Sequence, residues 1–138
     1  KWTAVRQATL AGMEVCGVNP RAPDLALRNF SGGNQQKLII AREIHHKPRL
    51  LIAFHPTRGI DVGAIQMIHK KLLELREQGL AILLISSELD EILALSDRIA
   101  VIENYSIRKT FKGGSCDEAE LGLAMSGSLS EWEVRHGL

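Results

Sequence analysis

The segment from Phe30 to Lys37 contains the residues best suited to bind an anion. Its Ser31-Gly32-Gly33 run precedes a helix that the pattern predicts up to about Ile44. The first turn of a helix has unpaired N–H groups and the positive end of the helix dipole, and glycines let a phosphate approach closely. Ser31 is also a favoured N-cap residue, so its hydroxyl can close the helix or turn outward to a phosphate oxygen. By themselves these residues leave two interpretations open, an anion site and an ordinary capped helix.

A strand and a turn are predicted next. The apolar run Leu50 to Phe54 is typical of a strand buried on both faces of a parallel sheet, and Pro56 to Gly59 reads as a turn. Asp61 is expected to cap a helix that ends at Gly79. The apolar residues of this helix recur in steps of three and four, at Ile65, Ile68, Leu72 and Leu75. Ala81 to Ile85 is predicted as a second buried strand, which gives the strand-helix-strand order of a parallel crossover.

The other elements follow from periodicity and turn residues. The sequence predicts an amphipathic helix over Trp2 to Cys16 and an irregular connector over Arg21 to Asn29. Ser86-Ser87 are expected to begin a short helix. A hairpin around Glu103-Asn104-Tyr105 and a helix over Asp117 to Met125 come last.

Composition restricts the class of protein. The chain has 138 residues, enough for one domain with one core, and its 17 Lys and Arg residues nearly balance 16 Asp and Glu residues. Without a basic stripe, nucleic acid is a poor candidate for the main partner. No apolar run approaches the length of a membrane span, so we expect a soluble, cytosolic chain. Cys16 and Cys116 lack metal-ligand spacing and are expected to be reduced thiols, with Cys16 in the core.

The order and spacing of these segments resemble the second half of an ATP-binding-cassette (ABC) ATPase domain, over about residues 25–127. Ser31 to Gln35, hereafter the signature segment, matches the signature motif of that family. Leu50 to Phe54 falls at its Walker B strand, Thr57 to Asp61 at its D-loop, and Ala81 to Ser87 at the strand leading to its switch histidine.

The resemblance implies an α/β, P-loop NTPase-like partial domain, with a short, mostly parallel sheet flanked by helices. Residues 1–127 would be the C-terminal part of a nucleotide-binding domain. Within it, residues 1–46 would form the helical subdomain with the signature, and residues 47–127 the part with the Walker B strand, D-loop and switch. Residues 128–138 are expected to be a tail. The sequences of residues 56–64 and 86–92 resemble those in the second cassette of tandem ATPases that drive importers of simple sugars and nucleosides.

Three positions depart from the family pattern. The Walker B strand of the family ends in Asp-Glu, and here those positions are Phe54 and His55. Phe54 cannot bind Mg²⁺, which takes oxygen ligands. His55 could accept a proton, or it could be a tolerated polar residue at a strand end. Ser87 replaces the switch histidine, and a serine is a weak general acid or base near neutral pH. The Gly-x-x-x-x-Gly-Lys-Ser/Thr phosphate loop is also absent from this sequence, so the chain alone is expected to be inactive.

These departures all affect the chain's own nucleotide site, whereas the signature segment is intact. By resemblance, Ser31, Gly32, Gly33 and Gln35 would contact ATP held by a partner cassette in a head-to-tail dimer, and Asp61 would couple the two sites. The alternative for Asp61 is a plain N-cap, and both roles can hold together. ATP and Mg²⁺ would be shared with the partner, and permease subunits would place the protein at the cytoplasmic face of the membrane.

Two rival functions stay open, a non-transport cassette that acts as a mechanical clamp and an interaction domain that binds no nucleotide. No metal site is expected, because His45-His46 and His69 have no Cys or acidic residue at ligand spacing. In the family, the strand that carries the phosphate loop lies between the strands that match Ala81 to Ile85 and Ile99 to Ile102. Its absence predicts an open sheet edge or a gap, and therefore self-association of this chain by itself.

Overall fold

The computed structural model describes residues 1–126, which fall into two units. The first unit, Lys1–Ile85, contains in order the helix α1 (Trp2–Val15), a 3-10 turn (Leu27–Asn29), the helix α2 (Gly32–His45), the strand β1 (Leu50–Phe54), the helix α3 (Val62–Glu77) and the strand β2 (Ala81–Ile85). The second unit, from Ser86 onward, contains the helix α4 (Leu89–Leu95), the strands β3 (Arg98–Glu103) and β4 (Ser106–Lys112), and the helix α5 (Glu118–Met125). The tail expected over residues 128–138 lies outside the described residues.

Local sequence signals set the ends of the two central helices. Ser31 caps α2 and Asp61 caps α3, each through a side-chain oxygen that accepts a backbone N–H in the first turn. At the other end of α3, Gly79 has a φ of 91°, and its N–H donates to the carbonyl of Arg76. The next residue, Leu80, donates to the carbonyl of Leu75, which completes a Schellman-type end that needs the left-handed residue. The predicted caps and the terminating glycine are therefore confirmed.

The strands β1 and β2 pair in parallel, in register from Leu50 opposite Ala81 to Phe54 opposite Ile85. The predicted strand-helix-strand crossover is confirmed. The hairpin β3–β4 forms a separate antiparallel sheet, so the described residues contain two two-stranded sheets, of which one is parallel.

The prediction that β1 and β2 are buried on both faces is wrong. Ala53 is buried, and the alternating positions on the same face are half-buried, since α3 packs against β2. The opposite face, hereafter the open face, is exposed in the described part of the chain, with Ile52 at 61 % and Phe54 at 69 %. Apolar runs do signal burial, but two strands and one covering helix can enclose only one side of a sheet. The open face comprises Leu50, Ile52, Phe54, Leu83 and Ile85.

The core of the first unit confirms the expected place of Cys16. Cys16 is 7 % exposed, and buried residues of α1 and α3 include Met13, Ile68 and Leu72. Burial raises the pKa of the Cys16 thiol above its ordinary value, an effect that the nearby Lys71 and Lys37 charges partly offset. Cys16 is therefore a protonated core residue at neutral pH and a poor nucleophile.

The second unit is built on the predicted hairpin. Its two-residue turn, Asn104-Tyr105, has φ values of 46° and 60°, which is how it closes without a glycine.

The helix α5 begins at the predicted Asp117 with a full capping box, in which Glu120 reaches back to the Asp117 N–H. The helix α4 begins at Leu89 instead of at Ser86-Ser87, because Ser86 Oγ accepts the Glu88 N–H in a local turn. The core of this unit is formed by Ile99, Val101, Leu121 and Ala124.

Close packing joins the starts of α2 and α3. A Cβ added to Gly33 would overlap Ala64 Cβ, whereas a Cβ on the neighbouring Gly32 would lie 3.5 Å from Ile60 Cγ2, an ordinary contact. Gly33 is buried and Gly32 is exposed. The sequence interpretation gave both glycines the same purpose, the close approach of a phosphate, but Gly33 is also required for the contact between the two helices.

We expect Gly33→Ala to destabilise the chain by about 1–3 kcal/mol, since α2 and α3 must separate to admit the methyl group. Gly32→Ala is the matched control and should change stability by less than about 0.5 kcal/mol, because its added methyl meets only ordinary contacts. Urea unfolding at low protein concentration measures both changes as shifts in the midpoint. Equal effects of the two substitutions would contradict this account of the packing.

The open face also predicts self-association of the chain when it is produced by itself, since an apolar patch of paired strands favours association. Light scattering across a concentration series should show a mass that rises with concentration. Ile52→Thr keeps the β-branched shape of an exposed strand residue and should reduce the association. A constant monomer mass for the unaltered chain would refute the prediction.

Candidate functional site

The first unit brings the signature segment and the D-loop together. Gly33, in the first turn of α2, packs on Ala64 in the first turn of α3, so the two helix starts lie side by side. Asp61 Oδ2 lies 3.8 Å from the position that a Cβ would take on Gly33. Two positive helix ends and one carboxylate therefore share a small region.

The Ser31 hydroxyl is held by a single neighbouring residue. Ser31 Oγ accepts hydrogen bonds from the backbone N and the side-chain Nδ2 of Asn34, at 3.4 and 3.0 Å. Ser31 itself is exposed, so its own hydroxyl proton can be donated outward. The two open interpretations, a helix cap and a contact to an anion, are thus compatible in geometry.

The side chain of Gln35 points back toward the loop that enters α2. Its Nε2 donates to the carbonyl oxygen of Phe30 at 2.9 Å, and Phe30 is 5 % exposed. Gln35 therefore braces the start of the signature segment. Its expected contact to nucleotide would require that hydrogen bond to be given up.

Sequence reasoning missed two residues of this region, Asn34 and Lys37. Lys37 is only 9 % exposed, and its Nζ donates to the carbonyl oxygen of Gly17 at 3.2 Å and lies 3.3 Å from Met67 Sδ. This buried ammonium joins the end of α1, the helix α2 and the helix α3. One signal in the sequence could have indicated this position: Lys37 follows Gly33 by four residues and therefore lies on the same face of α2.

Asp61 performs the structural role expected of it. Its Oδ1 accepts the Ala64 N–H at 2.9 Å, which caps α3, and the residue is exposed. Because only one carboxylate oxygen is used in that cap, Oδ2 remains on the side of Gly33. The geometry is compatible with both a cap and a contact at this helix pair.

The strand end at Phe54 and His55 does not fit a magnesium site. Phe54 is 69 % exposed on the open face and offers no oxygen ligand. His55 has a φ of 45°, its backbone N donates to the Ile85 carbonyl at 2.8 Å, and its ring packs edge-on against the Phe54 ring at 4.6 Å. These residues close the end of the β1–β2 pair.

Ser87 belongs to the second unit, where it is exposed in the segment that precedes α4. Within residues 1–126, no three His, Cys, Asp or Glu side chains come close enough to hold a metal ion. Across the same residues, no helix is long and apolar enough to cross a membrane.

The curated relatives of this chain are import ATP-binding proteins. Guanosine import ATP-binding protein NupO of Bacillus subtilis is 56 % identical over 113 residues, which are 80 % of this chain and 22 % of that protein. Nucleoside import ATP-binding protein NupA of Lactococcus lactis is 50 % identical, over 83 % of this chain and 23 % of that protein. Xylose import ATP-binding protein XylG of Escherichia coli is 45 % identical, over 76 % and 20 %. The chain thus spans less than a quarter of the length of these relatives.

Solved structures share the fold. A metal-chelate type ABC transporter in an inward-facing conformation superposes with a TM-score of 0.73 at 16 % identity, covering 88 % of this chain and 48 % of that one. A dimeric bacterial ABC transporter cassette superposes with a TM-score of 0.70 at 21 % identity, covering 81 % and 48 %. No family model matches the chain. The sequence relatives and the shared α/β cassette fold together establish that the chain belongs to the ATP-binding-cassette ATPase family.

Proposed function

We propose that this chain is a C-terminal part of the second cassette in the ATP-binding subunit of an importer for simple sugars or nucleosides. In this proposal its signature segment completes an ATP site on a partner cassette, while its own site is degenerate. The observation that carries the proposal is the contrast between two places in the first unit. Ser31 has a hydroxyl proton to donate at an exposed helix start, whereas Phe54 occupies the position where a metal ligand would be needed.

The start of α2 has the chemistry that a phosphate requires. The first intrahelical hydrogen bond of this region runs from the Gln35 N–H to the Ser31 carbonyl, so the amides of Gly32 and Gly33 precede the bonded ladder. The dipole of a 14-residue helix adds positive potential at the same end. Gly32 is exposed and has no side chain, which leaves its amide approachable. A γ-phosphate oxygen can therefore be bound by this helix start and by the Ser31 hydroxyl.

The local site, by contrast, lacks the groups for hydrolysis. Phe54 supplies no ligand for Mg²⁺, and Ser87 is a weak acid or base near neutral pH. His55 lies against Phe54, and its backbone is tied to β2. ATP and Mg²⁺ would accordingly act at the site of the partner cassette, to which this chain contributes Ser31, Gly32, Gly33 and Gln35. Asp61, beside Gly33, would transmit changes in that site to α3.

The names of the relatives, which are import ATP-binding proteins for guanosine, nucleosides and xylose, support a role in import. We infer a second cassette in a head-to-tail dimer, and permease subunits that hold the assembly at the cytoplasmic face of the membrane. The transported compound is one of these two classes, sugars or nucleosides.

The first test uses the full-length natural protein assembled with its partner cassette. Ser31→Arg should reduce ATPase activity by about 100-fold or more, because a long side chain fills the anion site and removes the hydroxyl donor. His55→Ala should change the activity by less than about threefold, since the neighbouring Phe54 offers no metal ligand and the His55 ring packs against it. Steady-state ATP hydrolysis, with melting temperature as a check on folding, measures both.

The reverse pattern would overturn the assignment. Loss of hydrolysis with His55→Ala and full activity with Ser31→Arg would mean that this half performs its own chemistry. Full activity of both variants would favour the alternative of an interaction domain that binds no nucleotide.

A further inference from the structure

The orientation of the Asn34 amide is fixed by its neighbours. Asn34 Oδ1 accepts the backbone N–H of Asn19 at 3.0 Å, and a backbone N–H can pair only with the amide oxygen. The amide nitrogen therefore faces Ser31, to which Nδ2 donates at 3.0 Å. The side chain of Asn34 thus connects the loop after α1 to the first residue of the signature segment, and both of its ends are in use.

This arrangement determines what the Ser31 hydroxyl can do. A hydroxyl has two acceptor positions and one donor, and here Asn34 supplies donors for both acceptor positions, through its backbone N and its Nδ2. What is left is the O–H bond, which points away from Asn34. An incoming group at Ser31 must then accept a hydrogen bond, as a phosphate oxygen does, and a group that only donates finds no partner.

We propose that Asn34 is a positioning residue, which holds the Ser31 hydroxyl as an outward donor to a phosphate oxygen. The Asn34 amide accepts from Asn19 and donates to Ser31, so in this proposal it acts through the Ser31 hydroxyl and needs no contact of its own with the nucleotide. This inference rests on the proposed function of the signature segment, and it assigns the orientation of the Ser31 donor to one neighbouring side chain.

The substitution Asn34→Asp tests whether Asn34 orients the Ser31 hydroxyl, without destabilising the fold. A carboxylate can still accept the Asn19 N–H, and a negative charge in the first turn of α2 is favourable to the helix dipole, so the melting temperature should be unchanged or raised. The carboxylate cannot donate to Ser31, and the hydroxyl instead turns inward and donates to it. Gln36→Glu introduces the same charge in the same helix, on a residue outside this network, and is the matched control.

The experiment is a double-mutant cycle on the full-length protein with its partner cassette, with steady-state ATP hydrolysis as the measurement. Asn34→Asp and Ser31→Ala should each lower kcat/KM for ATP by about tenfold or more, as expected for the loss of one hydrogen bond to a charged oxygen. The double variant should be no worse than Ser31→Ala alone, because Asn34 acts only through the Ser31 hydroxyl. Gln36→Glu should stay within about threefold of the unaltered protein.

The possible failures are distinguishable. If Ser31→Ala has full activity, the proposed function of the signature segment fails, and the role of Asn34 fails with it. If Ser31→Ala is impaired while Asn34→Asp is not, or if the two losses multiply in the double variant, the function stands and the positioning role of Asn34 is refuted. A loss with Gln36→Glu equal to that of Asn34→Asp would also refute it, since charge alone would then explain the effect.

Discussion

The contact between Gly33 and Ala64 is the constraint on which the candidate site depends. It lets two helices start side by side, and it requires that one of them have no side chain at the point of closest approach. Asp61, which caps the second helix through Ala64, is thereby held against the first. The starts of α2 and α3 thus form one structural piece. Movement of either helix must displace the other.

Around this contact, polar side chains are used mainly to hold backbone in place. Gln35 braces the carbonyl of Phe30, and Asn34 spans Asn19 and Ser31. The Gln35 bond is partly buried, whereas the two Asn34 bonds lie at the surface, and together they connect three stretches of backbone around the start of α2. Within the signature segment the exposed residues are Ser31 and Gly32.

The end of β1 and the start of α2 are separate parts of the first unit. Phe54 and His55 close the end of a parallel strand pair, and their rings pack against each other. Neither residue is needed for the contact between the two helix starts. The strand end and the contact between Gly33 and Ala64 thus involve different residues, which is compatible with the proposed function.

Local patterns in the sequence determined the caps at Ser31 and Asp61 and the left-handed end at Gly79, because capping and turn chemistry act between near neighbours. The order and spacing of the segments determined the family. They could not determine the open face of the β1–β2 pair, since the same apolar run fits a strand covered on one side or on two. Tertiary structure alone distinguished Gly33 from Gly32, and it alone paired Asn34 with Asn19. Those distinctions depend on Ala64, which is 31 positions from Gly33, and on Asn19, which is 15 positions from Asn34, and no local pattern encodes such distant contacts.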